Sequence, residues 1–251
     1  MLYFRKFVLM YKRCLYLLML FLTFSGYAQE VENGESNVLM RRDYSIGLNF
    51  NTRGWGLSFD YAWQKNYKYK QTIGFTCTNI RHEKEHKIYG ALSNSKGYYL
   101  GKLESLVSFR PHYGGKFILF KAKRENGIEI SAKWSIGPAF GLVKPVYLKI
   151  KKIDAQDVDE RYDPTIHNVG NITSRSSWFK GLGESTMRMG IFGKFGFDFN
   201  FGALKNSISG GEFGVMLDYF PGRKIEIMYN NPNSNFFSSL YLQFNIGQKL
   251  Y

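Results

Sequence analysis

The sequence predicts an all-β fold, an antiparallel eight-stranded transmembrane β-barrel with long extracellular loops. Three observations carry that reading. Apolar and polar residues alternate with period two, the apolar positions are rich in aromatics, and the connections alternate between long and short. In "GWGLSFDYAWQ", residues 54–64, the odd positions are Trp55, Leu57, Phe59, Tyr61 and Trp63, and the even ones Gly56, Ser58, Asp60, Ala62 and Gln64. Side chains of a strand point alternately to its two faces, so this is a strand with one apolar and one polar or small face. "MRMGIFGKFGFDFNF", residues 187–201, repeats the rule, with Met187, Met189, Ile191, Phe195, Phe197, Phe199 and Phe201 opposite Arg188, Lys194, Asp198 and Asn200.

The same pattern places strands near 44–51, 54–64, 70–80, 98–110, 127–142, 185–201, 210–220 and 236–248. Most approach the roughly 9–11 residues that a tilted membrane strand needs. Their connections fall into two sets. One end carries 52–53, 81–97, 143–184 and 221–235, and the other 65–69, 111–126 and 202–209. Long loops outside and shorter turns inside is the arrangement of outer-membrane barrels. The 111–126 connection is long for a turn, and "KFILFKA" within it is a candidate further strand. Eight strands enclose a lumen just filled by side chains, here including Phe192 and Tyr241, whereas ten would reopen a narrow pore.

Residues 1–28 read as a secretory signal peptide. Arg5, Lys6, Lys12 and Arg13 precede the apolar run "CLYLLMLFLTF", and "SGYAQE" sets small residues Gly26 and Ala28 around Tyr27, so cleavage is expected between Ala28 and Gln29. That run has 11 residues, against the roughly 20 of a spanning helix. Cys14 opens the apolar run instead of following a small-residue box, which argues against a lipoprotein. A short periplasmic segment, 29–43, then leads into the barrel at 44–251. Cleavage removes four of the 34 Lys and Arg and none of the 20 Asp and Glu, lowering the formal charge from +14 to 30 − 20 = +10. One cysteine, Cys77, remains, which excludes an internal disulfide and cysteine-ligated zinc. Export, and the lack of a basic and aromatic stripe on one face, exclude nucleic acid as the partner of that positive charge.

The polar faces of the strands collect Asp60, Lys102, Glu104, Arg110, Glu129, Lys133, Arg188, Lys194, Asp198, Glu212 and Asp218. Acids and bases nearly balance there, although the chain as a whole is strongly basic. An enclosed interior requires such balance because buried charges must pair. These residues are therefore expected to form a charge network inside the barrel. The alternative is a soluble sandwich or lipocalin-like barrel, with the aromatic faces as its core and the charged faces in water.

Several segments resemble a known family. "GKLESLVSFRPHYG" (101–114), "GPAFGLVKPVYLKI" (137–150), "RYDPTIHNVG" (161–170) and "IMYNNPNSNFFSSLYLQFNIG" (227–247) are similar to parts of an outer-membrane β-barrel family common in Bacteroidota. The resemblance covers about residue 98 onward. It implies a barrel fold and an outer-membrane location, and it assigns no catalytic residues. The ending "LQFNIGQKLY", with Tyr251 last, likewise resembles the terminal strand signal read by the outer-membrane assembly machinery.

Candidate sites are fewer. "RHEKEHK", residues 81–87, holds an H-E-x-x-H formed by His82, Glu83 and His86. In zinc proteases that motif works on a helix, where residues four apart share a face and both imidazoles reach one metal. Here it follows a strand, stands among Arg81, Lys84 and Lys87, and has no apolar helical stripe, so a solvated charged loop is the expectation. His167 lies in another outer loop, and His112 is expected at the periplasmic end. A rim hydrolase would draw on His82, His86 and His167, on Asp154, Asp157, Asp159, Glu160 and Asp163, and on Ser174, Ser176 and Ser177; such residues in polar loops do not by themselves make a catalytic constellation. "SGGEFG" and "GLGES" lack the Lys-Ser/Thr and the strand-to-helix context of a phosphate loop. No cofactor and no metal is expected. The long loop 143–184 opens basic, "KPVYLKIKK", and turns acidic, "DAQDVDERYD". Its Lys144, Lys149, Lys151 and Lys152 are placed to contact the anionic headgroups of outer-membrane lipid and lipopolysaccharide. The function expected is that of an envelope or surface protein acting through its outer loops, without catalysis.

Overall fold

The computed structural model describes residues 42–89, 96–122, 127–152, 157–201 and 207–250. Residues 1–28, expected to be a signal peptide, nearly all of the segment expected before the barrel, and the terminal Tyr251 lie outside them. Eight strands close a barrel: β1 (Arg42–Asn51), β2 (Gly54–Asn66), β3 (Tyr69–Ile80), β6 (Glu104–Phe120), β7 (Glu129–Pro145), β11 (Thr186–Asn200), β12 (Ser207–Tyr219) and β13 (Phe236–Leu250). Their order around the wall is β1-β13-β12-β11-β7-β6-β3-β2, and every neighbouring pair is antiparallel. Closure runs through β1 and β13, from Arg42 opposite Leu250 to Asn51 opposite Tyr241, so no wall strand is left with an open edge.

The pleat assigns the two faces. Outward stand Ile46, Leu48, Phe50, Trp55, Leu57 and Phe59 on β1 and β2, and Leu240, Leu242, Phe244 and Ile246 on β13, all exposed. Inward stand Ser58, Asp60, Arg110, Lys133, Lys194, Glu212 and Gln243, all buried. A barrel in water would reverse these faces; apolar outside and polar inside is the arrangement of a barrel in lipid. Aromatic pairs mark the end where the long loops lie. Phe50 is opposite Trp55 on β1 and β2, and Tyr219 is opposite Phe236 on β12 and β13, each ring facing out as an interfacial girdle does.

Two expected boundaries need correction. The strand expected at 98–110 is instead β6 at Glu104–Phe120, and "KFILFKA" continues it almost to its end. That segment adds no ninth wall strand. Pro111, Gly114 and Gly115 read as a break because proline removes a ladder donor. Yet Pro111 sits opposite Phe75 of β3, and the β6–β7 pairing skips Arg110 to His112 before resuming at Tyr113 opposite Ile136. The wall absorbs the proline at that gap. Second, the loop expected at 143–184 starts later, because β7 runs on to Pro145, and its acidic half is not irregular chain throughout. It contributes to a three-stranded sheet built from β8 (Tyr147–Ile150), β9 (Val158–Arg161) and β10 (Ile172–Arg175), with β8 in the middle. Loop 81–103 adds a small hairpin of β4 (Lys87–Ile88) and β5 (Tyr98–Tyr99).

The described residues form two apolar clusters. One fills the outer half of the barrel mouth, where Ile225, Ile227 and Met228 of loop 220–235 pack with Ile80, Leu106, Val143, Phe192 and Phe237 of the wall. The other lies among the outer loops and joins Tyr98, Leu148, Ile150, Tyr162 and Ile172. Its buried apolar area gives the loop layer a core of its own.

Candidate functional site: the lumen and the outer loop layer

Below the apolar plug the lumen holds a connected set of charges. Lys133 lies 2.7 Å from Asp60 and 3.1 Å from Glu212, and Lys194 lies 2.8 Å from the other oxygen of Glu212. The Tyr241 hydroxyl donates to the same carboxylate at 2.6 Å. Arg110 grips Asp218 with two parallel bonds of 2.7 and 2.8 Å and donates a third to Thr78 Oγ1 at 2.6 Å. A bidentate guanidinium–carboxylate pair is among the stronger charge-assisted contacts. Further down, Lys116 pairs with Asp198, with Glu129 at 4.0 Å, and Lys70 pairs with Asp43. Two glycines leave room for this. A Cβ at Gly74 would stand 2.5 Å from Asp60 Oδ1 and 2.7 Å from His112 Nε2, and one at Gly196 would collide with the Tyr241 hydroxyl.

Of the eleven charges predicted to share the interior, seven lie in it buried: Asp60, Arg110, Lys133, Lys194, Asp198, Glu212 and Asp218. Glu129 is half-buried near Lys116. Glu104 and Arg188 lie beside the plug, in a polar hollow with Arg223 and Glu226. Lys102 lies outside the wall strands, in the loop layer, where its ammonium is 2.7 Å from Glu85. The sequence reading missed Asp43, Lys70 and Lys116, and it misplaced His112. That histidine is buried in the lumen, with Nε2 3.0 Å from Asp60 and Nδ1 3.1 Å from the Arg110 carbonyl oxygen. Ending the strand at Arg110 is what put His112 and Lys116 in a turn.

The plug is held by asparagines. Asn235 Oδ1 accepts from Ile225 N–H at 3.2 Å while its amide donates to the Gly222 carbonyl at 2.7 Å. Asn233 accepts from Met228 N–H and donates to the Met228 carbonyl, at 3.2 and 2.9 Å. The "NNPNSN" run thus satisfies backbone groups that a non-repetitive buried loop would otherwise strand. Loop 81–103 is bonded to the plug through Leu103 N–H to Ile227 O and Tyr229 N–H to Gly101 O, and to loop 146–185 through Val146 N–H to Leu103 O. Three loops form one bonded layer over the mouth.

The histidine motif sits in this layer as a turn. Glu85 accepts from the His82 backbone N–H at 3.0 Å and from Lys102, and Glu83 pairs with Arg53 at 3.0 Å. Without a helix the four-residue spacing does not bring His82 and His86 to one face, and among the described residues no group of three or more His, Cys, Asp or Glu could hold a metal. His167 accepts the Asp163 N–H at Nδ1 and faces Glu160 with Nε2 at 3.4 Å. Asp154 lies outside the described residues. Of the lysines expected to meet headgroups, Lys149 and Lys151 are exposed, and Lys152 is half exposed with its ammonium 2.5 Å from Glu160. Lys144 is different: it is 6% exposed and donates to the Lys180 carbonyl at 2.8 Å. The last residues of β7 turn it in beneath Trp178, not out toward solvent.

No family model matches the chain, and no curated protein matches it. Among solved structures it is similar to Ail, the attachment invasion locus protein of Yersinia pestis, at 10% identity and a TM-score of 0.42, covering 84% of this chain and 99% of that one. It is similar to a major outer membrane protein from Thermus thermophilus at 8% identity and a TM-score of 0.48, covering 84% and 99%. Neisserial surface protein A matches at 10% identity and a TM-score of 0.37, covering 84% and 97%. Likeness at this level carries no ligand, partner or role across to this chain, whose fold rests on its own strand pairing.

Proposed function

We propose that this chain is an exported outer-membrane barrel that conducts nothing and catalyses nothing, and that works as an envelope or surface protein through its outer loop layer. The observation that carries the reading is the pairing of an apolar exterior with a lumen closed twice, by interlocked charges below and by the Ile225, Ile227 and Met228 plug above. A structure that stops its own pore and builds a separate apolar core in its loops has its specific surface in those loops. The exposed Lys149 and Lys151 face the direction of lipopolysaccharide headgroups, and the closing strand β13 is the segment offered to the assembly machinery. Cleavage at Ala28 and the kinship with a Bacteroidota barrel family belong to the same reading, which the quoted sequence segments support.

The test is a heat-modifiability gel on isolated outer membranes. The expected result is outer-membrane fractionation with a band that shifts between unheated and boiled samples. Recovery in the soluble periplasm without a shift would overturn the reading, because the aromatic face would then be a buried core.

A further inference from the structure

A cleft of about 670 Å³, its open mouth included, lies in the loop layer between the barrel rim and the small sheet. Arg81, Lys102, Lys144 and Arg175 line it, with the rings of Tyr99 and Trp178. Four cations converge, and one carboxylate answers them: Glu85, bonded to Lys102. Among the described residues no carboxylate pairs with Arg81, Lys144 or Arg175.

Lys144 is the most telling of them. An ammonium has three N–H groups. Among the described residues this buried one bonds to the Lys180 carbonyl alone, with its nitrogen 5.5 Å from the centre of the Trp178 ring. Burying a cation without a counter-charge is costly unless something else supplies one. Lys102 feels the same crowding. Burial chiefly pushes its ammonium below the usual lysine range, with Arg81 and Arg175 adding to the push and Glu85 opposing it. A bound anion would relieve both. A second hollow shares Arg175, Ser176, Ser177 and Trp178 with the first and adds Lys96, Lys149, Ser174 and one carboxylate, Asp159, which is paired with Lys180 at 3.2 Å. Cations therefore outnumber acids in both hollows beside a tryptophan that stands 47% exposed. A flat ring beside unpaired guanidinium and ammonium groups suits a sugar ring carrying anionic oxygens: the apolar sugar face covers the indole while the cations take the charge.

We propose that this cleft binds a phosphorylated saccharide, its phosphate held by Lys144, Arg175 and Arg81 and its sugar face laid on Trp178. The inference rests on the outward placement of the loops proposed above. The same chemistry occurs in a lipopolysaccharide headgroup and in a free phosphosugar.

The test is calorimetric titration of the protein as extracted from outer membranes in detergent, checked as folded by its heat-modifiable migration. The probes are an acyl-free bisphosphorylated glucosamine disaccharide, its dephosphorylated form and inorganic phosphate, with purified lipopolysaccharide as competitor. Saturable binding of the phosphorylated disaccharide is expected, weakened about tenfold in both Arg175→Gln and Lys144→Met, the scale of one hydrogen bond to a charged group. Competition by lipopolysaccharide would assign the ligand to the membrane's own headgroups, and its absence to a free phosphosaccharide; both support the site. Unchanged affinity in Arg175→Gln, whose exposed side chain makes a folding failure an improper excuse, would overturn it. So would equal binding of the dephosphorylated sugar, inorganic phosphate binding as tightly as the disaccharide, or no binding by protein that still shows the heat shift. Loss of the heat shift itself in the wild-type protein would instead sink the barrel reading.

Discussion

Glu212 is the group on which the lumen's charge balance turns. It is fully buried and receives Lys194, Lys133 and the Tyr241 hydroxyl. Replacing it with alanine leaves Lys133 with Asp60 at 2.7 Å, but leaves Lys194 with no carboxylate in contact, only the Gln243 oxygen 3.0 Å away and the Tyr241 ring, its centroid at 4.5 Å. Breaking a buried ion pair by removing one partner costs about 3–5 kcal/mol. The stranded Tyr241 hydroxyl adds about 1–3 kcal/mol, less whatever a relaxing neighbour recovers. A loss of roughly 4–8 kcal/mol before relaxation is therefore expected for Glu212→Ala, most of it from the orphaned Lys194. Adding Lys194→Met should restore more than about 2 kcal/mol, because a well-packed apolar residue replaces the uncompensated charge. The assay is equilibrium urea unfolding of the refolded barrel in lipid vesicles, followed by tryptophan fluorescence. Lys152→Ala, which removes a half-exposed pair with Glu160, is the control and should cost less than about 1 kcal/mol. If Glu212→Ala unfolds within about 0.5 kcal/mol of the control and the double variant shows no coupling, the lumen is hydrated and its charges are not locked.

The outward face gives a second test. Leu242→Arg should destabilise the vesicle-embedded barrel by about 2–4 kcal/mol, and a neutral result would place that exposed leucine in water instead of lipid. Gly74→Val forces atoms into the space of the Asp60–His112 bond, and a cost of about 1–3 kcal/mol is expected in the same unfolding assay. Asn235→Ala frees the Ile225 N–H and the Gly222 carbonyl; faster protease nicking within 220–235 should follow, and cleavage at the wild-type rate would show that these bonds do not hold the plug. Planar-bilayer recordings should show no unitary conductance for wild type, nor for a variant with Ile225 and Ile227 changed to serine, since the charges beneath them still close the lumen; steps in the wild type would refute the double seal.

Much of the architecture was legible in the chain. Period-two alternation in residues 54–64 and 187–201 reports which face each side chain takes, because the strand pleat is a local property. Eight such segments with alternating connection lengths then leave few ways to close a sheet. Local patterning failed at Pro111, where β3 and β7 hold a strand together across a residue that alone would end it. With that boundary went His112 and Lys116, so two members of the interior charge set were not recognisable. Lys144 shows the same limit in the loops: as a residue after a strand it reads as a rim cation, yet the packing of Trp178 and the Lys180 carbonyl turns it inward.

The alternation and the charge balance of the polar faces are written in residue type and spacing, one strand at a time, and need no fold to be read. Folding alone settles which acid meets which base, that loop 220–235 enters the mouth, and that four cations from two loops and the end of β7 line one cleft with Trp178. Those contacts join residues far apart in the chain, and their positions follow from barrel closure and register, which no single strand contains.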